Sequence, residues 1–292
     1  MIKLKKIKLI NYCGFRDFEV DFSEDNRIRQ WTVLAGPNGS FKSTFLNAIR
    51  LISSPWQMSS REDLTLFFRR QTYHPNYLPS YVGYIDHKND MEIVATFLVN
   101  EEEKEVIVRN TGEKETTGVV KSEFPDDVFS AAWYVDADNP ANHQKFQLID
   151  EHKKEFLDIA KNVYDFECEL VDDKINIVSE YDSQRDEYIK YITDFILIKH
   201  GTRVHYKSFS AGEKKIATML TTLLNNVYKN EIKGNDILLI DNIAMHIYYK
   251  RHMKLVEKLS EYFSDHQFII TTHSPVIINE MEERYLIDME KI

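Results

Sequence analysis

Apolar and polar positions alternate along residues 2–35, the pattern of strands with one buried face. The alternation ends in the short apolar run Trp31-Thr32-Val33-Leu34-Ala35, which suits a strand covered on both sides. The period then changes. Phe45, Leu46, Ile49 and Ile52 recur at helical spacing, so residues 43–52 form a helix. Residues 53–80 carry Pro55, Pro75 and Pro79 and read as loop with short helix. Met91–Asn100 and Lys104–Arg109 are strand-like runs with a polar turn between them. Glu113–Lys121 is polar and contains Gly and Thr, as in an exposed hairpin or mobile loop, and Val128–Val135 is a further buried strand. Residues 151–200 read as mainly helical, with a strand pair near Glu167–Tyr181. Ile216, Met219, Leu220 and Leu223 mark another helix, and two buried strands close the chain, one ending at Asp241 and one at His273. There is no internal repeat and no long heptad array, so no extended coiled coil is expected.

The junction between the apolar run at 31–35 and the helix after it reads Gly36-Pro37-Asn38-Gly39-Ser40-Phe41-Lys42-Ser43-Thr44. A strand, a Gly-rich turn and a Lys-Ser pair opening a helix make a phosphate-binding loop. Backbone N–H groups of residues 38–43 would cradle phosphates, Lys42 would reach the terminal phosphates, and Ser43 would ligate Mg²⁺. One position departs from the pattern G-x-x-x-x-G-K-[ST]: the second Gly is Phe41. A helical backbone at Phe41 would accommodate the side chain, which would then crowd the outer surface of the loop.

Three further segments follow in a fixed order. Ser208-Phe209-Ser210-Ala211-Gly212-Glu213-Lys214 opens a helix, Asp236-Ile237-Leu238-Leu239-Ile240-Asp241-Asn242 is a strand ending in an acid, and Phe268-Ile269-Ile270-Thr271-Thr272-His273-Ser274-Pro275 is a strand ending in a His. With the phosphate-binding loop, these resemble the signature, Walker B and switch motifs of an ABC-type ATPase head. The resemblance is closer to the soluble SMC/RecF/OLD-like heads than to transporter subunits. Ile7-Lys8-Leu9-Ile10-Asn11-Tyr12-Cys13-Gly14-Phe15-Arg16 is similar to their first strands, and Asp241-Asn242-Ile243-Ala244-Met245-His246-Ile247 to the D-E-P-E-x-H-L run of the OLD-like branch. The resemblance spans residues 1 to 292. It implies an α/β P-loop NTPase of ABC type: a mixed central sheet, an N-terminal antiparallel subdomain and a helical lobe. A single head would span 1–292, with a nucleotide-binding core at 1–140 and 235–292 and a helical signature lobe at 141–234.

The resemblance also implies roles. Gly36, Asn38, Gly39, Ser40, Lys42, Ser43 and Thr44 would hold ATP, with Ser43 and Asp241 on Mg²⁺. Ser210 and Gly212 would reach the γ-phosphate held by a second subunit, so a homodimer with two ATP molecules at its interface is implied. His273 would sense the γ-phosphate and help hold the attacking water. A Gln between the lobes is expected; Gln144 is favoured, with Gln147 and Gln71 as rivals. The catalytic carboxylate is missing. The residue after Asp241 is Asn242, which can orient water but takes no proton at neutral pH. The next acid of the OLD-like pattern falls at Ala244. Binding should therefore survive better than hydrolysis, either as a natural slow ATPase or because an acid was replaced.

Composition narrows the partners. The net charge of −10 argues against a surface that coats nucleic acid broadly. Lys3, Lys5, Lys6 and Lys8 form one basic cluster and Lys250, Arg251 and Lys254, with His252 between them, another; each reads as a solvated face, with a local basic patch for nucleic acid as the alternative. No run of 18 apolar residues and no charged-then-apolar leader is present, so no membrane span or signal peptide is expected. Cys13 and Cys168 suit neither a metal nor a disulfide framework, consistent with a reducing cytoplasm. No stretch long enough for an added nuclease domain follows His273. The resemblance to those heads implies an ATP-dependent dimerising switch that controls a separate effector, a nuclease or toxin, in bacterial phage defence. The alternative is a DNA-repair clamp; a transporter subunit fits less well, given the N-terminal strands and the His246 run.

Overall fold

The computed structural model describes residues 1–25, 27–53, 91–110, 119–120, 132–136, 148–164, 176–182, 187–194, 196–199, 201–230, 237–281 and 285–291. In chain order, β1 (Ile2–Tyr12), β2 (Phe15–Asp21), β3 (Ser23–Glu24), β4 (Arg27–Ile28) and β5 (Trp31–Ala35) lead into α1 (Lys42–Ser53). There follow β6 (Met91–Val99), β7 (Glu102–Asn110), β8 (Val119–Val120), β9 (Ala132–Asp136), β10 (Leu148–Ile149) and α2 (Lys153–Tyr164). Then come β11 (Asn176–Asp182), β12 (Glu187–Asp194), β13 (Ile196–Lys199), β14 (Thr202–His205) and α3 (Ala211–Asn230). The last elements are β15 (Ile237–Asp241), α4 (His252–Tyr262), β16 (Gln267–Thr272), α5 (Pro275–Glu280) and β17 (Leu286–Asp288).

Two sheets organise these elements. The antiparallel sheet has the order β2-β1-β6-β7-β8. Along β6 buried residues alternate strictly with half-buried ones, as the sequence pattern requires of a sheet with one inward face. Asn100 and Glu101 join β6 to β7 with φ of 49° and 74°, the paired positive values of a tight hairpin turn. The second sheet has the order β17-β5-β16-β15-β9 and is parallel throughout. Every residue of β15 and of β16 is buried, which is why both read as continuous apolar runs.

Alternation within the parallel strands separates two cores. Leu34, Leu239 and Ile269 point to one side, where α1 contributes Phe45, Leu46, Ile49 and Ile52 and the antiparallel sheet contributes Ile7, Leu9, Ile93 and Phe97. Val33, Leu238, Ile240, Phe268 and Ile270 point to the other, against Phe156 and Ile159 of α2, Leu220 and Leu223 of α3, and Leu255 and Leu259 of α4. A side chain stitches the sheets together. The Gln267 amide accepts from Leu4 N at 2.8 Å and donates to Leu4 O at 2.9 Å, beside the register shift between Leu4 and Lys6. The amide takes the place of a neighbouring strand where the ladder of β1 is interrupted.

The structure corrects the reading of 151–200 as mainly helical. After α2 ends at Tyr164 the described residues form antiparallel strands: β11 pairs with β12, β12 with β10, and β13 with β14. Ile177, Val178, Tyr181, Tyr188, Ile189, Tyr191 and Ile192 are β-branched or aromatic and suit a pleated surface better than a helix. The strand pair lies at Asn176–Asp182 and Glu187–Asp194, later than Glu167–Tyr181. Segment 141–234 thus carries β10 to β14 as well as α2 and α3. The strand expected at Val128–Val135 is Ala132–Asp136, with 128–131 outside the described residues. Most of 53–80 and of Glu113–Lys121 also lies outside them.

Candidate functional site

The C-terminal ends of β5, β15 and β16 lie side by side, since Ala35 pairs with Thr272 and β15 pairs along β16. Ligands of open parallel sheets bind at this edge. The loop after β5 is tightly folded. A Cβ on Gly36 would lie 2.7 Å from Ser40 Oγ, so only glycine permits the approach. Gly39 has φ of 84°. Ser40 Oγ donates to Pro37 O at 2.8 Å.

Phe41 differs from expectation. Its φ is 61°, in the left-handed region rather than the helical one. That conformation costs a non-glycine residue roughly 1–2 kcal/mol, which is the physical reason for a glycine in the general pattern. The ring is held inward: its Cζ lies 2.9 Å from where a Cβ on Gly14 would stand, and it meets Phe15 edge-on at 5.7 Å. Phe15 in turn contacts Phe18 and Phe45. Aromatic packing against the β1–β2 turn offsets the strain.

Lys42 is the first residue of α1 and is buried. Its Nζ donates to Gly36 O at 2.8 Å, Pro37 O at 2.7 Å and Ser40 Oγ at 3.3 Å, so the ammonium sits inside the curl of the loop. Burial pushes its pKa below the ordinary lysine value, and the charge of Asp241 opposes the shift. Asp241, at the end of β15, is buried and accepts a hydrogen bond from the Thr271 hydroxyl. Thr271 Oγ1 accepts in turn from Asn242 N at 2.8 Å. Ser43 and Thr44 follow Lys42 on α1, half-buried and buried.

A turn follows β15. Asn242 and His246 have φ of 57° and 68°, and Met245 N donates to Asn242 O at 2.8 Å. A cleft of about 230 Å³ opens between this turn and the end of β16, lined by Asn242, Ala244, Met245, His252, Thr272, His273, Ser274 and Pro275. Burial and the Lys42 charge lower the pKa of His273 below 6.5, and Asp241 acts in the opposite sense. The loop, Asp241, Asn242 and His273 therefore form one electrostatic neighbourhood.

Ser210 and Glu213 form a reciprocal cap on α3. Ser210 N donates to Glu213 Oε2 at 2.9 Å, and Glu213 N donates to Ser210 Oγ at 3.2 Å. Gly212 abuts the turn after β15: a Cβ on it would lie 3.3 Å from His246 Cβ. His246 Nε2 is 3.2 Å from Lys215 Nζ. Gly212 and Lys215 thus stand beside the 242–248 turn, and Ser210 is engaged with Glu213. Gln144, Gln147, Gln71 and Cys168 lie outside the described residues.

Thr271, His252 and Gln267 were not singled out by sequence reasoning. His252 belongs to a basic run yet is buried. The helical spacing of His252 with Leu255, Val256 and Leu259 was the available signal. Three lysines of β1 are paired with acids of the same sheet: Lys6 with Glu19 at 2.8 Å and Lys8 with Asp17 at 3.1 Å on β2, and Lys5 with Glu103 on β7. Among the described residues no group of three or more His, Cys, Asp or Glu side chains could hold a metal alone. A divalent cation at this edge would draw on Ser43, Asp241 and phosphate oxygens together, a donor set that suits Mg²⁺. No described helix is long and apolar enough to cross a membrane.

A parallel sheet carrying this loop beside an N-terminal antiparallel sheet defines a P-loop ATPase head of ABC type. The chain belongs to the RecF/RecN/SMC N-terminal domain family, which matches residues 4–292. Solved structures of similar fold include an SMC head bound to the C-winged helix domain of ScpA, with a TM-score of 0.59 and 14% identity over 94% of this chain and 91% of that one. The SMC head domain from Thermotoga maritima matches with a TM-score of 0.52 and 18% identity over 95% of this chain and 91% of that one. Among curated proteins, the Retron Vc95 probable ATPase of Vibrio cholerae serotype O1 biovar El Tor is 32% identical over 109 residues, 32% of this chain and 21% of the relative. The Retron Ec83 probable ATPase of Escherichia coli is 31% identical over 97 residues, 31% of this chain and 18% of the relative. The matched stretch thus spans about a fifth of the length of those two proteins.

Proposed function

We propose that this chain binds ATP with Mg²⁺ at residues 36–44, dimerises through that nucleotide, and hydrolyses it slowly. The observation that carries the reading is the Lys42 ammonium held by Gly36 O, Pro37 O and Ser40 Oγ within reach of the charge of Asp241. Phosphate oxygens would take over those hydrogen bonds. The backbone amides of 38–43 and the start of α1 would supply the remaining positive potential. Bound Mg²⁺ would neutralise phosphate charge, with Ser43 and Asp241 as its protein ligands. Thr271 holds Asp241 in place by its hydroxyl.

His273 and Asn242 stand in the cleft where an attacking water would be held, and among the described residues that line it there is no carboxylate. Asn242 and His273 orient, while the strong base is lacking. That composition favours a long-lived bound state over rapid turnover. Ser210 and the first amides of α3 would meet the phosphate of a second subunit. A cytoplasmic switch acting on a separate effector, a nuclease or toxin in phage defence, accords with the similarity to the two retron ATPases. The paired lysines of β1 favour this reading over a clamp on duplex DNA.

The test is light scattering with and without Mg-ATP. The wild-type mass should double on adding nucleotide, and Ser210→Arg should stay monomeric while retaining nucleotide. Equal masses with and without Mg-ATP for the wild type would refute the ATP-linked dimer.

A further inference from the structure

We infer that His252 is a positioning residue: it ties the 242–248 turn to the segment carrying His273, so that the two sides of the cleft move as one unit. The inference deepens the proposed nucleotide site and rests on that reading for its functional consequence. His252 heads the buried face of α4, in line with Leu255, Val256 and Leu259. An imidazole at such a position costs stability unless both ring nitrogens find partners. Here both do, and the partners lie on opposite walls of the cleft. His252 Nε2 is 2.8 Å from Ile247 O, and His252 Nδ1 is 2.6 Å from Ser274 Oγ.

The proton positions follow from the partners. A carbonyl oxygen only accepts, so Nε2 carries a proton. A neutral imidazole with its proton on Nε2 accepts at Nδ1, so the Ser274 hydroxyl, which also accepts from Ile277 N at 3.2 Å, donates to it. The ring therefore joins two hydrogen-bonded turns. On one side Ile247 N donates to Ala244 O at 3.3 Å and Met245 N to Asn242 O at 2.8 Å. On the other, Ser274 follows His273, donates from its backbone to Thr272 Oγ1 at 3.0 Å and caps α5. A shift of the Ile247 carbonyl is thus carried through a rigid ring to the residue next to His273. An aliphatic side chain of similar size would fill the space and transmit nothing directional.

The experiment is residue-resolved amide hydrogen exchange on the nucleotide-free wild type and on Ser274→Ala, His252→Leu and His252→Gln. Ser274→Ala removes the hydroxyl from one wall. It should accelerate exchange at Ile247 on the opposite wall roughly tenfold, the order expected for losing one net hydrogen bond. His252→Leu should release Ile247 and Ile277 together. His252→Gln, whose amide can donate to Ile247 O and accept from Ser274, should restore both. Unchanged exchange at Ile247 in Ser274→Ala overturns the inference, as does a Gln variant that exchanges as fast as Leu. These measurements need no nucleotide and decide the coupling by themselves. A parallel record of the His273 imidazole resonances on adding Mg-ATP separates the two claims: no response in the wild type would count against the nucleotide site alone.

Discussion

The Thr271 hydroxyl donates to Asp241 Oδ1 and at the same time accepts from the backbone N–H that follows Asp241, at 2.8 Å. One side chain on β16 therefore fixes both the proposed Mg²⁺ ligand at the end of β15 and the start of the turn that forms the cleft. All three groups are at least half-buried, so water does not readily replace a lost partner. Thr271→Val keeps the shape and removes both hydrogen bonds. The expected cost is roughly 2–4 kcal/mol of stability, from the loss of two hydrogen bonds in a largely buried setting. Thr271→Ser should recover most of it. Urea unfolding midpoints of the three proteins measure this, and a Val variant as stable as the wild type would remove Thr271 from the account.

Position 41 offers a test in which the usual ranking of two residues inverts. In a helix Ala is more stabilising than Gly by about 1 kcal/mol. The φ of 61° at Phe41 reverses that preference, because Ala in the left-handed region is strained and Gly is not. Both Phe41→Ala and Phe41→Gly lose the contact with Phe15. Phe41→Gly should nevertheless be the more stable of the two by roughly 1 kcal/mol. Thermal unfolding of the pair decides it, and an Ala variant that melts higher would mean the loop does not hold this conformation.

The motifs that announced the site were contiguous, and contiguity made them legible. Gly36 to Thr44, Asp241 and His273 each stand at the end of an apolar run, and the largely buried strands β5, β15 and β16 deliver them to one edge. The supporting residues were not legible in this way. Thr271, Gln267 and His252 act through partners on other elements, Gln267 on Leu4 at the far end of the chain. Nothing in the local spacing of Gln267 distinguishes it from a surface glutamine. His252 was concealed by Lys250, Arg251 and Lys254 around it. Residues 187–194 and 196–199 read as helical because charged residues interrupt their alternation, and pairing between strands outweighs weak local period. The left-handed backbone of Phe41 was not legible, because the letter pattern does not report backbone handedness.

The pKa of His273 gives a pH-dependent prediction. Burial first, then the Lys42 ammonium, hold it below 6.5, against the pull of Asp241. The unfolded chain therefore binds a proton to this residue at higher pH than the native protein does. Its contribution to stability declines as pH falls from 6.5 towards the native value and then levels off. In NMR titration of the nucleotide-free protein the His273 midpoint should lie below 6.5, and Lys42→Met should move it upwards. A midpoint that ignores Lys42 would place the two groups further apart than described.

On the proposed reading hydrolysis should be slow, because Asn242 and Ala244, both lining the cleft, stand where the resembled pattern carries acids. Ala244→Glu places a carboxylate on the cleft wall, and Asn242→Glu tests the adjacent geometry. A positioned general base typically contributes ~10²–10⁴-fold in rate, so the correct variant should stand well clear of the parent in a phosphate-release assay. If the parent turns over as fast as both variants, its catalytic group lies elsewhere.

The most direct measurement concerns Lys42, since every functional step above depends on nucleotide in the 36–44 loop. A ligand that binds only the folded state raises the melting temperature, by about 2.7 kcal/mol of stabilisation at a hundredfold excess over its dissociation constant. Thermal unfolding with Mg-ATP should show that rise for the wild type, and Lys42→Ala should lose it while folding normally without nucleotide. A Lys42→Ala protein that gains as much from Mg-ATP as the wild type would contradict the assignment of this loop as the phosphate site.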